Sequence, residues 1–79
     1  MKLPTLDLHG YKTADIADAV DKFLTRNSGK PRIRIMTGKG TGAVLKTVTD
    51  YLKLGAFPWE FEKLDNGKRN EGVLVVILD

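Results

Sequence analysis

Residues 32–52 read RIRIMTGKGTGAVLKTVTDYL, a strand, a glycine-rich loop and a helix in immediate succession. From Arg32 to Met36 apolar and polar residues alternate, with Ile33 and Ile35 on one face and Arg32, Arg34 and Met36 on the other. This period of two is that of a half-buried strand. Thr37-Gly38-Lys39-Gly40-Thr41-Gly42 cannot continue it and forms a loop. Beyond the loop Val44, Leu45, Val48, Tyr51 and Leu52 recur with helical spacing. They make one apolar stripe, and Gly55 stops the helix before Pro58.

The flanks repeat this pattern. Upstream, Thr5 to His9 alternates with Leu6 and Leu8 inward, which predicts a first strand. Thr13 is the expected N-cap of a first helix, with Asp15 in its first turn. Ile16, Ala19, Val20, Phe23 and Leu24 form that helix's stripe, and Asn27-Ser28-Gly29-Lys30-Pro31 breaks it. Downstream, Trp59–Leu64 and Val73–Leu78 read as two more strands, with Asp65–Gly72 as a long, mobile hairpin connection.

The order βαβαββ predicts an α/β fold. Two successive βα units place parallel strands as neighbours joined by crossovers, and the closing hairpin adds an antiparallel strand. Because the first two strands have one apolar face each, both helices should cover the same side. The expected architecture is a two-layer sandwich, a four-stranded mixed sheet with two helices on one face, forming one domain over residues 1–79.

Composition removes several function classes. The 79 residues include no Cys and one His, which excludes thiolate zinc sites, cysteine nucleophiles and polyhistidine metal cages. No apolar run approaches the roughly 18 residues needed to span a bilayer, and Met1–Pro4 lack the apolar core of a secretory signal. A cytoplasmic location without membrane association is the expectation. The net charge of +3 is unevenly spread. Residues 1–27 are neutral, 28–55 carry a surplus of +5 and 56–79 a deficit of −2. A positive field around a glycine loop suits an anionic partner, although a basic stretch also serves as a solvated face.

Ligands of βα sheets bind beyond the carboxyl ends of the parallel strands. Two loops leave that edge here, at His9-Gly10 and at Thr37–Gly42. Gly38, Gly40 and Gly42 can let the backbone approach a phosphate, the following helix start offers unpaired N–H groups, and Lys39 adds a charge. The loop matches neither the Rossmann spacing nor the P-loop, so no nucleotide cofactor is expected; a plain tight connection is the simpler reading of the same glycines. His9 is the natural proton-transfer group, with Asp7 to orient it or to hold a divalent cation. A strand-terminal His that only satisfies a loop carbonyl is the alternative. Arg32 and Arg34, on the open face, could follow a phosphate backbone or guard the sheet against association. Trp59, Phe61 and Lys63 could stack bases or belong to the core.

Leu6-Asp7-Leu8-His9-Gly10, followed some thirty residues later by Thr37-Gly38-Lys39-Gly40-Thr41-Gly42 and by a late glycine, Gly72, resembles an Smr (small MutS-related) domain over essentially the whole chain. The resemblance implies a βαβαββ sandwich similar to the C-terminal domain of bacterial translation initiation factor three. It implies nucleic-acid binding and, in many members, endonuclease activity on RNA or DNA, in some cases at ribosomes. By motif, Asp7 and His9 take the acidic and histidine positions and Gly38, Lys39 and Gly40 the glycine loop; with Thr41 and Gly42 these loop residues are the candidate phosphate-binding set. Thr37 stands where many members have His, so His9 is the only imidazole available. The expectation is therefore an endonuclease that needs no cofactor on sequence grounds, with Mg or Mn as a candidate cation at Asp7. The alternative is a non-catalytic RNA-, DNA- or ribosome-binding module.

Overall fold

The computed structural model describes residues 3–38 and 42–79. Its elements are β1 (Thr5–Asp7), α1 (Thr13–Arg26), β2 (Arg32–Met36), α2 (Ala43–Leu54), β3 (Trp59–Lys63) and β4 (Arg69–Ile77). The βαβαββ order and the four-stranded mixed sheet are as the periodicities predict. Strand order across the sheet is β1-β2-β4-β3. Strand β1 runs parallel to β2, with Leu6 beside Ile35, and β4 runs antiparallel to both β2 and β3.

Only the first pair of parallel strands are neighbours. Strands β2 and β3 also run in the same direction, but β4 lies between them. The reason is in the composition of β4. Val73–Ile77 is the most apolar stretch of the chain, and the interior position pairs Leu74–Val76 on both edges while keeping the stretch from water. The more polar β1 and β3 take the two edges.

Ile33, Ile35, Leu74 and Val76 share the inner face and are sealed by Ile16, Val20 and Leu24 of α1 and Val48 and Leu52 of α2. Eight of the core side chains are fully buried, each contributing roughly 2 kcal/mol of transfer free energy. Trp59 and Phe61 pack against this cluster edge to face, with ring centroids 5.1 Å apart, and Arg69 lies over the Phe61 ring. These aromatics are core, not a free stacking surface.

Three boundaries differ from the sequence reading. Thr13 is the first helical residue of α1, not its cap; the N-cap is the extended Lys12, whose carbonyl accepts from Asp15. At the other end, Asn27 Nδ2 donates to the Phe23 carbonyl. Strand β1 stops at Asp7, two residues early, because the chain turns there. Strand β4 begins at Arg69, so the Asp65–Gly72 connection shrinks to a tight turn. Leu64 N donates to the Lys68 carbonyl, Gly67 adopts φ +83°, and Lys63 pairs with Arg69.

Candidate functional site

The site is assembled where β1 and β2 end and β4 begins. Leu8 N donates to the Met36 carbonyl at 3.0 Å, adding one bond to the parallel ladder. Tyr11 N then donates to the Leu8 carbonyl at 3.1 Å, which folds His9 and Gly10 into a turn. Gly10 sits at φ +80°, a conformation costly for any residue with a Cβ. The Asp7 carboxylate stabilises this turn: its Oδ1 accepts the main-chain N–H of His9 at 2.9 Å. Asp7 therefore orients the His9 backbone rather than the imidazole. His9 is exposed, and its ring finds no hydrogen-bond partner among the described residues.

On the far side of β2 the backbone makes a second anchor. The Gly72 carbonyl accepts from Thr37 N at 2.9 Å, Gly38 N at 3.1 Å and Thr37 Oγ1 at 3.4 Å. Gly72 N in turn donates to Asn70 Oδ1 at 3.1 Å. The start of the glycine loop is thereby tied to the start of β4, and Gly38 takes φ +79° as the chain leaves the sheet.

Between the two anchors lies an open cleft of about 320 Å³. Asp7 and His9 line it from the end of β1 and the turn after it, Met36, Thr37 and Gly38 from the end of β2 and the loop after it, and Asn70, Gly72 and the buried Val73 from β4. Of the residues singled out by sequence, Asp7, His9 and Gly38 meet here. Lys39, Gly40 and Thr41 lie outside the described residues. Gly42, at φ +88°, is the N-cap of α2 and does not line the cleft.

The two arginines are elsewhere. Arg32 is at the opposite end of β2 from Met36, paired with Ile77. Arg34 lies on the open face, where its Nη2 donates to Glu62 Oε2 at 2.9 Å and its Nε lies 2.8 Å from Oε1 without hydrogen-bond alignment. Its Nη1 donates to Thr5 Oγ1 at 3.3 Å. One guanidinium thus links β1, β2 and β3 across the open face. Lys46, one turn into α2, is likewise matched: its hydrogen bond to Asp50 and the carboxylate's charge raise its pKa. The central positive surplus is therefore partly neutralised within the fold.

Among the described residues no three His, Cys, Asp or Glu side chains are placed to hold a metal ion. The one carboxylate at the cleft, Asp7, already spends an oxygen on the His9 turn. A divalent cation there would draw most of its ligands from water and a phosphate ligand, the usual manner of Mg²⁺. No helix among the described residues is long and apolar enough to cross a membrane.

The sequence reading missed Asn70 as a cleft residue. Its signal was the Asn70-Glu71-Gly72 triplet, an arrangement in which an Asn side chain accepts from the main chain two residues on.

The family model described as the Smr domain matches residues 6–79. The endonuclease MutS2 of Symbiobacterium thermophilum is 36% identical over 77 residues, 95% of this chain and 10% of that protein. Its counterpart in Levilactobacillus brevis is 45% identical over 51 residues, 62% of this chain and 6% of that protein. The chain thus spans a tenth or less of these relatives. The crystal structure of the Smr domain of Thermus thermophilus MutS2 superposes with a TM-score of 0.81 at 29% identity, covering 98% of this chain and 99% of that one. The solution structure of the SMR domain of NEDD4-binding protein 2, at 22% identity and a TM-score of 0.60, shares the fold, covering 100% of this chain and 88% of that one.

Proposed function

The chain belongs to the Smr domain family, and from that premise we propose that it binds nucleic acid across the Asp7–His9–Gly38 cleft and cleaves a phosphodiester there, on RNA or DNA. The observation that carries this reading is the convergence of His9 and the start of the glycine loop on one open cleft, although they are about thirty residues apart in the chain.

On RNA the chemistry needs a base for the 2′-hydroxyl and a donor for the leaving oxygen. The His9 imidazole, exposed at the cleft and held through its own backbone, takes the 2′-hydroxyl proton. The 2′ oxygen then attacks phosphorus, and the bond from phosphorus to the 5′ oxygen breaks. The products are a 2′,3′-cyclic phosphate and a 5′-hydroxyl, with the proton returned to the leaving oxygen. Lys39, the basic residue of the glycine loop in the sequence, would add positive charge for the phosphate. On DNA, which lacks the 2′-hydroxyl, water must be the nucleophile. A cation held by Asp7 would there offset phosphate charge.

A second reading, a binding module without cleavage, has one observation in its favour. Asp7 is spent on the His9 main chain, leaving the imidazole without an orienting partner among the described residues.

The test uses the purified chain with labelled RNA and supercoiled plasmid, with and without chelator, beside His9→Ala. We expect His9→Ala to retain binding and lose at least about 100-fold in cleavage rate, the scale of general acid–base catalysis. Undiminished cleavage by His9→Ala overturns the catalytic assignment. Binding without cleavage by the wild-type chain supports the second reading.

A further inference from the structure

We propose that Asn70 is a substrate-contacting residue of the cleft, donating its side-chain amide to a phosphate oxygen of the bound strand; this rests on the cleft being a nucleic-acid site. The sheet is irregular between β3 and β4. Phe61 pairs with Leu74, but the next residue of β3, Glu62, pairs with Asn70. Strand β4 therefore moves four residues while β3 moves one, and Glu71–Val73 are left unpaired with β3. Gly72 and Val73 of this segment line the cleft, and the Gly72 carbonyl is the anchor for Thr37 and Gly38. Asn70 stands where the irregularity begins, on the opposite side of β2 from Asp7 and His9.

Its side chain is oriented by one bond. Oδ1 accepts the Gly72 N–H at 3.1 Å, so the amide oxygen faces the main chain and Nδ2 is directed away from it. Nδ2 has no hydrogen-bond partner among the described residues, although the side chain is half-buried and lines the cleft. A half-buried amide with two unused, directionally held N–H groups is a ready donor.

The choice of residue type carries the rest. The turn at Gly72 needs only an acceptor, and Asp would supply one as well as Asn does. The donor is what Asn adds. Among the described residues that line the cleft the only carboxylate is that of Asp7, so a neutral donor on the β4 side gives a phosphate a contact away from that negative charge. Asn side chains commonly serve as phosphate donors that fix a strand's register. Held between His9, in the turn after β1, and Asn70 on β4, a phosphodiester would lie across the end of β2.

Asn70→Asp separates the two roles, since it keeps the acceptor for Gly72 and replaces the donor with an anionic oxygen. Binding is read by fluorescence anisotropy with labelled single-stranded DNA and with a 2′-O-methyl RNA that cannot be cleaved through its 2′ oxygen. We expect Asn70→Asp to weaken binding at least tenfold at low salt, the defect shrinking as salt rises, with the melting temperature unchanged. Asn70→Ala should weaken binding less, because it removes the donor without adding a charge. In wild-type protein, the Asn70 side-chain amide resonances should shift when the oligonucleotide is added. Wild-type affinity in Asn70→Asp overturns the proposal and leaves the nucleic-acid reading intact. A loss that is independent of salt and accompanied by a lowered melting temperature also overturns it, in favour of a structural role. Failure of the wild-type chain to bind either oligonucleotide overturns the parent reading, and this proposal with it.

Discussion

Arg34 decides whether the open face of the sheet is a phosphate track or a structural brace, and its pair with Glu62 can be measured. The perturbation is a double-mutant cycle of Arg34→Met, Glu62→Gln and the two combined. The two side chains are 28% and 27% exposed, so the pair is neither a surface contact nor a buried one. Opposite charges about 4 Å apart attract by roughly 4 kcal/mol at an effective dielectric of about 20. Partial desolvation of both ions and the rotamer freedom lost by two long side chains remove most of this. Exposed pairs retain about 0.2–1 kcal/mol, and breaking a buried pair costs about 3–5 kcal/mol. With one aligned hydrogen bond at 2.9 Å and one unaligned contact at 2.8 Å, the expected coupling is about 1–2 kcal/mol. In a domain of this size each kcal/mol is worth about 4–8 °C of melting temperature. Urea denaturation of the four proteins gives the coupling directly. The same cycle has a binding readout: Glu62→Gln frees the guanidinium and removes a negative charge, so nucleic-acid affinity should rise several-fold at low salt. A coupling below about 0.3 kcal/mol, within the error expected of independent sites, would refute the bracing role. Unchanged affinity in Glu62→Gln would show that the open face is not on the path of the ligand.

The link between α2 and β3 gives a paired prediction of opposite signs. A Cβ on Gly55 would meet Phe57 Cε2 and Cδ2 at 2.6 and 2.7 Å, and that ring packs on the core while its backbone N–H is held by Leu52, so Gly55→Ala should cost about 1–3 kcal/mol. Ala56 adopts φ +57°, so Ala56→Gly should stabilise the chain by about 0.5–1 kcal/mol; a destabilised Ala56→Gly in the same urea series would contradict the assignment. The third prediction concerns the tie between the helices, where the Tyr51 hydroxyl donates to Asp21 Oδ1 at 2.5 Å and this hydrogen bond holds the phenol above its ordinary pKa of 10.0. The folded state thus favours the neutral phenol, and its contribution is complete below pH 10.0 and lost as pH rises through the folded value. Tyr51→Phe should lower stability at neutral pH by no more than about 0.5–1 kcal/mol, because the pair is solvent-screened, and the gap should close at high pH; a gap that stays constant up to pH 11 contradicts this account.

Element identity could be read from the chain because burial is one-sided wherever a period is visible. Ile33 and Ile35 in β2, and Ile16, Val20 and Leu24 in α1, are buried where alternation and helical spacing place them. Strand order was less accessible. It depends on competition between β3 and β4 for the interior position, and the alternation within each strand is silent on that contest. Boundaries were missed for a similar reason. Arg69–Gly72 looks like loop by composition, yet Arg69 and Asn70 enter the ladder because Lys63 and Glu62 supply partners across a tight turn. Turn chemistry overrode propensity there.

The candidate site divides along the same line. Asp7, His9 and Gly38 were accessible because a topological rule places the ends of parallel strands at one edge, and residue types suited to phosphate chemistry stand there. Asn70 was not, because it enters the cleft through an antiparallel strand, from the opposite chain direction, and only through an irregularity that no period announces. Arg32 and Arg34 mark the converse case. They lie within the basic third of the chain, but charge summed along a sequence says nothing about which carboxylates the fold brings near. Glu62, 28 residues from Arg34 and in a segment of net negative charge, is the residue that meets it. The acidic C-terminal third thus offsets part of the basic centre directly, and positive potential for a ligand must come from groups without such partners. A cleft with one exposed imidazole, one carboxylate turned to its own backbone and one free amide donor would bind phosphate by directed hydrogen bonds more than by massed charge. Its affinity should therefore depend less steeply on salt than the basic sequence suggests.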